Sequence, residues 1–361
     1  MLKRSESRTD VEATDQVVVY PTIGHRADGG ASWRIDIYGT VYEAGSESRQ
    51  KRMLINLLQR AAKLQPAEVE RELFESRIRE FIAPTHRGKR VALRVGDRVY
   101  DLQHRTKRNG RFSGTVKLSS SEVEELRASG DLSESLLKLH VLSRDGAESN
   151  VIVQAHLLDD EGMSVVSDID DTIKVTHVHS RRLLLESTFL REFEAVAGMS
   201  DLYRQWANQG AAFHYVSSSP WQLYTPLAEM CDASEFPCGS FHLRSFRLRD
   251  HMLRRLLLIR RKGKAKVIHT LLKTFPRRRF VFVGDSGEMD PEMYGRLARK
   301  RPGQVAAIYI RLLDQRPLQD DRRAKVFRGL IETTIQPFRC PSELPSELSA
   351  VASAPSLLVS S

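Results

Sequence analysis

The chain has only three cysteines in 361 residues, Cys231, Cys238 and Cys340. Their number is odd and their spacing fits no metal-ligand pattern, which excludes a disulfide scaffold and a zinc module as organising devices. They read as small hydrophobic filler in a reduced, cytoplasmic protein. Long apolar runs are lacking too. No stretch of about 18 apolar residues occurs, so no transmembrane helix is expected. The start, Met1-Leu2-Lys3-Arg4-Ser5-Glu6-Ser7, is charged with no apolar segment behind it, so no secretory signal is expected. No G-x-G-x-x-G follows a strand and no G-x-x-x-x-G-K-[ST] exists, which leaves nucleotide cradles unsupported. No internal repeat is visible.

What is abundant is positive charge, and it is unevenly placed. The net charge is +10. Between His242 and Phe280 stand fourteen Lys or Arg and one acid, Asp250, more than the whole surplus. The block includes Arg254-Arg255, Arg260-Arg261-Lys262 and Arg277-Arg278-Arg279, with Leu256-Leu257-Leu258-Ile259 between the first two. Such a patch attracts polyanions, either nucleic acid or an anionic lipid surface, or simply keeps the protein soluble. Bulky apolar residues inside a basic stretch favour a membrane interface over a duplex.

Length allows two domains, each with its own core. Residues 1–15 are polar and read as a disordered tail. Residues 16–160 read as a small β-rich accessory domain. Its strands are Val17–Tyr20, Trp33–Tyr38, Val91–Arg94, Gly114–Leu118 and Val151–Ala155, several of them alternating apolar and polar. Helices around Gln50–Lys63 and Ala67–Phe81 interrupt them. Residues 161–340 hold every chemical motif. Residues 341–361, rich in Ser, Pro and Ala, read as a second disordered tail.

Two runs in the 161–340 segment end in carboxylates. Val165-Val166-Ser167-Asp168-Ile169-Asp170-Asp171-Thr172 is one, and Phe280-Val281-Phe282-Val283-Gly284-Asp285-Ser286-Gly287-Glu288-Met289-Asp290 is the other. Continuous β-branched and aromatic stretches read as buried strands of a parallel sheet. Ligands of such sheets bind beyond the carboxyl ends of the strands, so both runs deliver acids to one edge. Acids that converge repel each other unless a cation sits among them. Hard oxygen donors with room for water suit Mg²⁺, which commonly accompanies a phosphate. Taken alone, D-x-D-x-T is equally a helix cap or a solvated turn.

A third run, Phe213-His214-Tyr215-Val216-Ser217-Ser218-Ser219-Pro220-Trp221, ends a strand in hydroxyls. It reads either as an ordinary turn or as donors for phosphate oxygens, from Ser217 and the backbone N–H groups after it. A fourth feature is Lys264, at the start of an amphipathic helix marked by Val267, Ile268, Leu271 and Leu272. Its helix has room to precede the strand that ends at Asp285, as a βαβ unit requires. Lys266 competes for the same role, and either lysine is also readable as a solvated charge. His177 and His179 are read as surface or substrate-side residues rather than metal ligands.

Together these pieces resemble the haloacid-dehalogenase phosphatase superfamily, in which D-x-D-x-T, a strand-ending Ser or Thr, a Lys and a G-D…D run follow in this order. The flanks are more specific. Ser167–Lys174, Tyr215–Tyr224 and Gly284–Tyr294 resemble the actin-patch phosphatidate phosphatase catalytic domain, itself distantly similar to the lipins. Gly198-Met199 and Phe241-His242-Leu243-Arg244 share the likeness, which spans about residues 160–315. The resemblance implies an α/β fold: a haloacid-dehalogenase-like Rossmannoid parallel sheet with helices on both faces, here preceded by the β-rich domain. It implies that Asp168 is the nucleophile and Asp170 the general acid–base. It implies Mg²⁺ held by Asp168, the Asp170 carbonyl and Asp285, with Asp290 orienting metal-bound water or Lys264. Ser217, Ser218 and Lys264 would bind the phosphate, and Thr172 would steady the first loop.

About 40 residues separate Thr172 from Phe213, and Phe189–Gln209 reads as a core helix, leaving little for a large mobile cap. An open site suits a phosphate presented on a bulky surface such as a bilayer. The resemblance then favours phosphatidate, an anionic phospholipid, and a protein peripheral on the membrane. The alternatives are a phosphatase for a nucleic-acid end or a phosphoprotein, or a catalytically silent lipid-binding module. The second acid, Asp170, argues against the silent module, because binding alone has no use for it.

Overall fold

The computed structural model of the protein describes residues 9–43, 72–83, 85–144, 148–177, 180–244 and 261–348. Two compact units emerge, one from residues 1–51 and 82–159, the other from residues 52–81 and 160–361.

The first unit is a nine-stranded sheet. Its strands are β1 (Asp15–Val19), β2 (Thr22–Ala27), β3 (Ser32–Glu43), β4 (Ala92–Val95), β5 (Arg98–Asp101), β6 (Arg111–Ser119), β7 (Leu132–Ser133), β8 (Leu136–Leu142) and β9 (Glu148–Leu158). Neighbours pair antiparallel except β2 with β9. Along β3, Trp33, Ile35, Ile37 and Val41 are buried and alternate with more exposed residues, the period of a strand with one face on a core. They join Phe112, Val116, Leu118, Leu137, Leu139 and Val153 in a single apolar cluster. The helix Ser120–Ser129 starts with a capping box between Ser119 and Glu122.

Chain start and chain end depart from the compositional reading. Within the nominal tail 1–15, Val11 is buried and Asp10 takes two bonds from the Arg90 guanidinium. At the other end, Trp206 Nε1 donates to the Pro345 carbonyl at 2.9 Å and Leu344 and Leu348 are buried, so residues 341–348 are packed chain. Residues 349–361 lie outside the described residues.

The second unit is built on six parallel strands: β10 (Met163–Ser167), β11 (Ala212–Pro220), β12 (Gly239–Arg244), β13 (Arg279–Asp285), β14 (Val305–Arg311) and β15 (Thr334–Phe338). Their spatial order is β12-β11-β10-β13-β14-β15. Numbered within the sheet this is 3-2-1-4-5-6, the doubly wound order, whose direction reverses between β10 and β13. Val281, Phe282, Val283, Ala307, Ile308 and Tyr309 are wholly buried, as strands covered on both faces must be.

The helices of this unit are α1 (Glu72–Ile82), α2 (Arg181–Phe189), α3 (Met199–Asn208), α4 (Tyr224–Ala233), α5 (Arg261–Thr274), α6 (Asp290–Lys300) and α7 (Asp320–Phe327). Two of them correct the sequence reading. The α1 helix belongs, through Phe81, with the second unit rather than with the strands that precede it. Its buried stripe Phe74, Ile78 and Phe81 lies at helical spacing, and both phenylalanines meet Phe189, at 6.4 and 5.6 Å between ring centroids. The predicted helix around Gln50–Lys63 lies outside the described residues. Of the expected core helix Phe189–Gln209 only α3, Met199–Asn208, is helix beyond the last residue of α2, and residues 190–198 are a non-helical connection. Gly198, at φ 79°, sits in the left-handed region at the start of α3, where the chain turns into the helix.

The basic block divides. Residues 245–260, with Arg254, Arg255 and Arg260, lie outside the described residues. Arg277, Arg278 and Arg279 are not a free patch. Arg277 pairs with Asp160 and Glu161. Arg278 is buried and donates to Ser164 Oγ at 2.9 Å and to the Met163 carbonyl at 2.7 Å, fastening the start of β10. Among the described residues no helix is long and apolar enough to cross a membrane.

Candidate active site

The reversal between β10 and β13 opens a crevice at the carboxyl edge of the sheet, and both acidic runs leave their strands there. Asp168 continues β10, its N–H donating to the Val283 carbonyl at 2.9 Å. The residue is 1% exposed. Lys264 Nζ donates to Asp168 Oδ1 at 2.7 Å and to Asp290 Oδ1 at 2.6 Å. Thr172 Oγ1 donates to Asp168 Oδ2 at 3.2 Å. Lys266 is exposed, so Lys264 is the lysine at this edge.

Asp285 is wholly buried at the end of β13. Its Oδ1 accepts the N–H groups of Gly287 and Glu288, at 2.6 and 3.0 Å. Asp290 opens α6 and is pressed against β13. A Cβ on Gly284 would stand 2.3 Å from Asp290 Oδ2 and 2.8 Å from the Tyr294 ring, so only glycine permits this approach. Asp168, Asp285 and Asp290 each offer a carboxylate oxygen within 4.8 Å of the others. Asp285 Oδ2 and Asp290 Oδ2 are buried and have no hydrogen-bond partner among the described residues.

One ammonium does not balance this many acids. Burial lifts the Asp168 pKa well above the ordinary carboxylate range; Asp290, Glu288 and Asp285 add to the lift while Lys264 opposes it. Burial and the neighbouring Asp290 push Asp285 up to about 7. Glu288 rises to about 8, first through burial and then through Asp290 and Asp285, against Lys264. Burial works against a charged Lys264, but Asp168 and Asp290 outweigh it and raise its pKa. An oxygen-only donor set, two orphaned buried oxygens and surplus negative charge fit a hard divalent cation.

Asp170 is also buried, but its carboxylate has other partners. Ser217 and Ser219 hydroxyls donate to Oδ2 at 2.8 and 2.7 Å. The Thr176 hydroxyl donates to Oδ1 at 2.9 Å, and Lys174 Nζ lies 3.3 Å from the same oxygen. Burial would raise this group; Lys174, Ser219, Ser217 and Thr176 overcome it and hold its pKa below the ordinary value. The Asp170 carboxylate thus stands apart from the trio of acids, and Ser217 spends its hydroxyl on Asp170. Lys174, Thr176 and Ser219 complete this nest although the sequence reading gave them no role. Their signal was present, since Lys174 and Ser219 stand inside the motif runs. Asp171, at φ 56°, accepts the N–H groups of Thr176 and His177, both at 2.8 Å, and so folds the loop back on itself. His179 lies outside the described residues. Ser218 lines a cleft with Lys264, Met289, Asp290, Met293 and Arg296.

Residues 163–312 match the family described as phosphatidate phosphatase APP1, catalytic domain. The resemblance drawn from the three motif runs holds over this segment. Two curated relatives align with about half of the chain. The phosphatidate phosphatase APP1 of Saccharomyces cerevisiae is 32% identical over 186 residues, 49% of this chain and 31% of that protein. An uncharacterized protein of Schizosaccharomyces pombe is 32% identical over 179 residues, 47% of this chain and 29% of that protein. The chain therefore spans less than a third of the length of these relatives. Among solved structures, an uncharacterized protein from Listeria monocytogenes serotype 4b covers 53% of this chain and 98% of its own, at 14% identity and a TM-score of 0.36, too distant to carry an argument.

Proposed function

We propose that this chain is a Mg²⁺-dependent phosphomonoester hydrolase that turns phosphatidate into diacylglycerol and phosphate. One observation carries the reading. A buried Asp168, bonded to Lys264 and flanked by two acids with orphaned oxygens, lies inside the segment that matches the phosphatidate phosphatase catalytic domain.

Phosphate monoesters resist hydrolysis because an anion must be attacked and a poor alkoxide expelled. Asp168 is the nucleophile: its carboxylate attacks phosphorus, the ester bond breaks, and an aspartyl-phosphate forms. Asp170, held as a carboxylate in this nest, takes the proton from the water that later hydrolyses the intermediate; to protonate the departing oxygen it first has to take up a proton from solvent. Four donors fix its orientation for both steps. Lys264 neutralises the transferring oxygens, and the Ser217 hydroxyl would turn from Asp170 to bind one of them when phosphate enters. Thr172 holds the Asp168 carboxylate from its other oxygen. Asp168, Asp285 and Asp290 would hold Mg²⁺, with the Asp170 carbonyl as a further ligand. When bound there, Mg²⁺ offsets phosphate charge so that one anion can approach another.

The basic block between His242 and Phe280 supports presentation of the substrate at an anionic membrane surface, through its residues that lie outside the described part. Phosphate release from a panel tests the proposal: phosphatidate vesicles, lysophosphatidate, phosphopeptides and 3′-phosphorylated oligonucleotides. Phosphatidate should be preferred, EDTA should silence turnover, Mg²⁺ should restore it and Ca²⁺ should support it poorly. Undiminished turnover in EDTA sinks the metal assignment. A preference for oligonucleotides or phosphopeptides sinks the substrate, and failure to co-sediment with phosphatidate vesicles at low salt sinks the membrane-surface reading of the basic block.

A further inference from the structure

Asp285 and Asp290 are joined by a short loop whose peptide carbonyls are held from outside. Arg322 Nη1 donates to the Ser286 carbonyl at 2.9 Å and Arg322 Nη2 to the Glu288 carbonyl at 2.9 Å. Arg316 Nη1 donates to the Gly287 carbonyl between them at 3.2 Å. Three successive carbonyls therefore end on two guanidinium groups. The amides of Gly287 and Glu288 are bound to Asp285 Oδ1. Ser286 is pinned as well. Its hydroxyl donates to the Arg316 carbonyl at 2.6 Å and accepts the Leu313 N–H at 2.9 Å.

Arg322 does a second thing. Its Nε and Nη2 donate to the two oxygens of Glu292, at 2.8 and 2.9 Å. Glu292 is in the first turn of α6, the helix that begins with Asp290. One planar fork thus fastens the loop that follows Asp285 to the helix that carries Asp290. A lysine, a point charge on a flexible stem, cannot make all four bonds. Arg322 hydrogen-bonds to none of the three clustered acids; it holds backbone and Glu292, and reaches Asp285 only through the field of its charge. Both arginines stand beyond residue 312, outside the matched segment.

We infer that Arg322, backed by Arg316, is a positioning residue that sets the separation of Asp285 and Asp290 and so the affinity of the site for its divalent cation. The inference rests on the metal reading above. The orphaned oxygens, Asp285 Oδ2 and Asp290 Oδ2, stand at the two ends of the braced segment, where a loop rearrangement would move them apart. Outer-shell partners of this kind typically alter metal affinity about 10- to 100-fold.

The test is Mn²⁺ binding to the full chain without substrate, followed by electron paramagnetic resonance, with Mg²⁺ as competitor. Arg322→Gln should weaken Mn²⁺ and Mg²⁺ by about 10- to 100-fold. Arg322→Lys should fall between that variant and the wild type. Arg323→Gln, the next residue on α7, should bind as the wild type does. In turnover assays Arg322→Gln should need correspondingly more Mg²⁺ for half-maximal rate, while its KM for phosphatidate at saturating Mg²⁺ stays put. A merely structural role would lower the melting temperature and the active fraction without moving the metal affinity of the folded protein. Should Arg322→Gln fail to fold, Arg322→Lys carries the comparison. Wild-type affinity in Arg322→Lys and in any folded Arg322→Gln overturns the inference while leaving the metal reading intact. No Mn²⁺ binding by the wild type removes the metal reading, and the brace with it.

Discussion

In the antiparallel unit the buried polar residues are hydroxyls, Thr9, Thr22, Thr106 and Ser143, and among its described residues no charged one is fully buried. Its charges mostly pair near the surface, as in Arg90 with Asp10, the exception being Asp15, whose carboxylate is covered beside Lys89. In the parallel unit Asp168, Asp170, Asp171, Lys174, Lys264, Asp285 and Asp290 are all buried, and all but Lys264 lie on the segments leaving β10 and β13. Exposed ion pairs add about 0–1 kcal/mol each. Buried ones cost several kcal/mol per ion in desolvation, only partly returned. A fold selected for stability alone resembles the first unit. The concentration of buried acids in the second is bought with stability and has to be explained by chemistry.

The contrast is most easily broken at Asp168. Asp168→Asn should abolish phosphate release with the fold intact by circular dichroism, and Asp170→Asn should lose roughly 10²-fold or more. Asp10→Asn, at the first unit's best-formed surface pair, should leave turnover unchanged. Full activity in purified Asp168→Asn would end the mechanism.

Opposite pH dependences sharpen the comparison. In the second unit burial pushes Glu80 up to about 7; Thr225 opposes this and Glu229 adds to it. A raised folded-state pKa gives stability that is complete below the unfolded value, 4.5, and lost as pH rises through about 7. The loss amounts to at most about 3 kcal/mol, and Glu80→Gln should flatten it in urea melts at pH 5 and pH 8. In the first unit the hydrogen bond from Arg90 holds Asp10 below its ordinary value. That smaller contribution is present at neutral pH and disappears as pH falls. If Glu80→Gln melts with the wild-type pH slope, burial of Glu80 is not what drives it.

The smallest expected effects come from two glycines that admit a close neighbour. A Cβ on Gly39 in β3 would lie 2.3 Å from Phe112 Cζ and 2.6 Å from the Val18 carbonyl. Gly39→Ala and Gly284→Ala should each cost about 1–3 kcal/mol. Only Gly284→Ala should also depress turnover, because the atom in the way is Asp290 Oδ2. Equal turnover in the two variants would separate Asp290 from the chemistry.

The parallel strands were legible because strands covered on both faces are continuous apolar runs, and an abrupt carboxylate after one marks the sheet edge. The lysine was legible in principle. Lys264 precedes the buried Ile268 by four residues and shares its helix face, whereas Lys266 is turned from it. The nest around Asp170 was legible only in part: Ser217, Ser219 and Lys174 stand inside the motif runs, but their meeting with Thr176 on one carboxylate is loop geometry that no spacing encodes. Nor was the attachment of α1, whose stripe announces a helix but not the partner, Phe189, that it meets. Arg316 and Arg322 carry no motif at all, being two arginines among many until the fold sets them on three consecutive carbonyls.

The packed chain end has an optical consequence. Trp206 lies within 5.6 Å of Tyr203 and 5.9 Å of Tyr309, centroid to centroid, while its indole N–H is bound to the Pro345 carbonyl. Release of residues 341–348 would hydrate that indole and shift its emission to the red. The other two tryptophans are Trp221 in the same unit and Trp33 in the first, where the Arg26 guanidinium stacks on it at 4.7 Å. Intrinsic fluorescence of the unlabelled chain thus carries a separate signal from each unit, and a Trp33→Phe protein would let the second be watched alone.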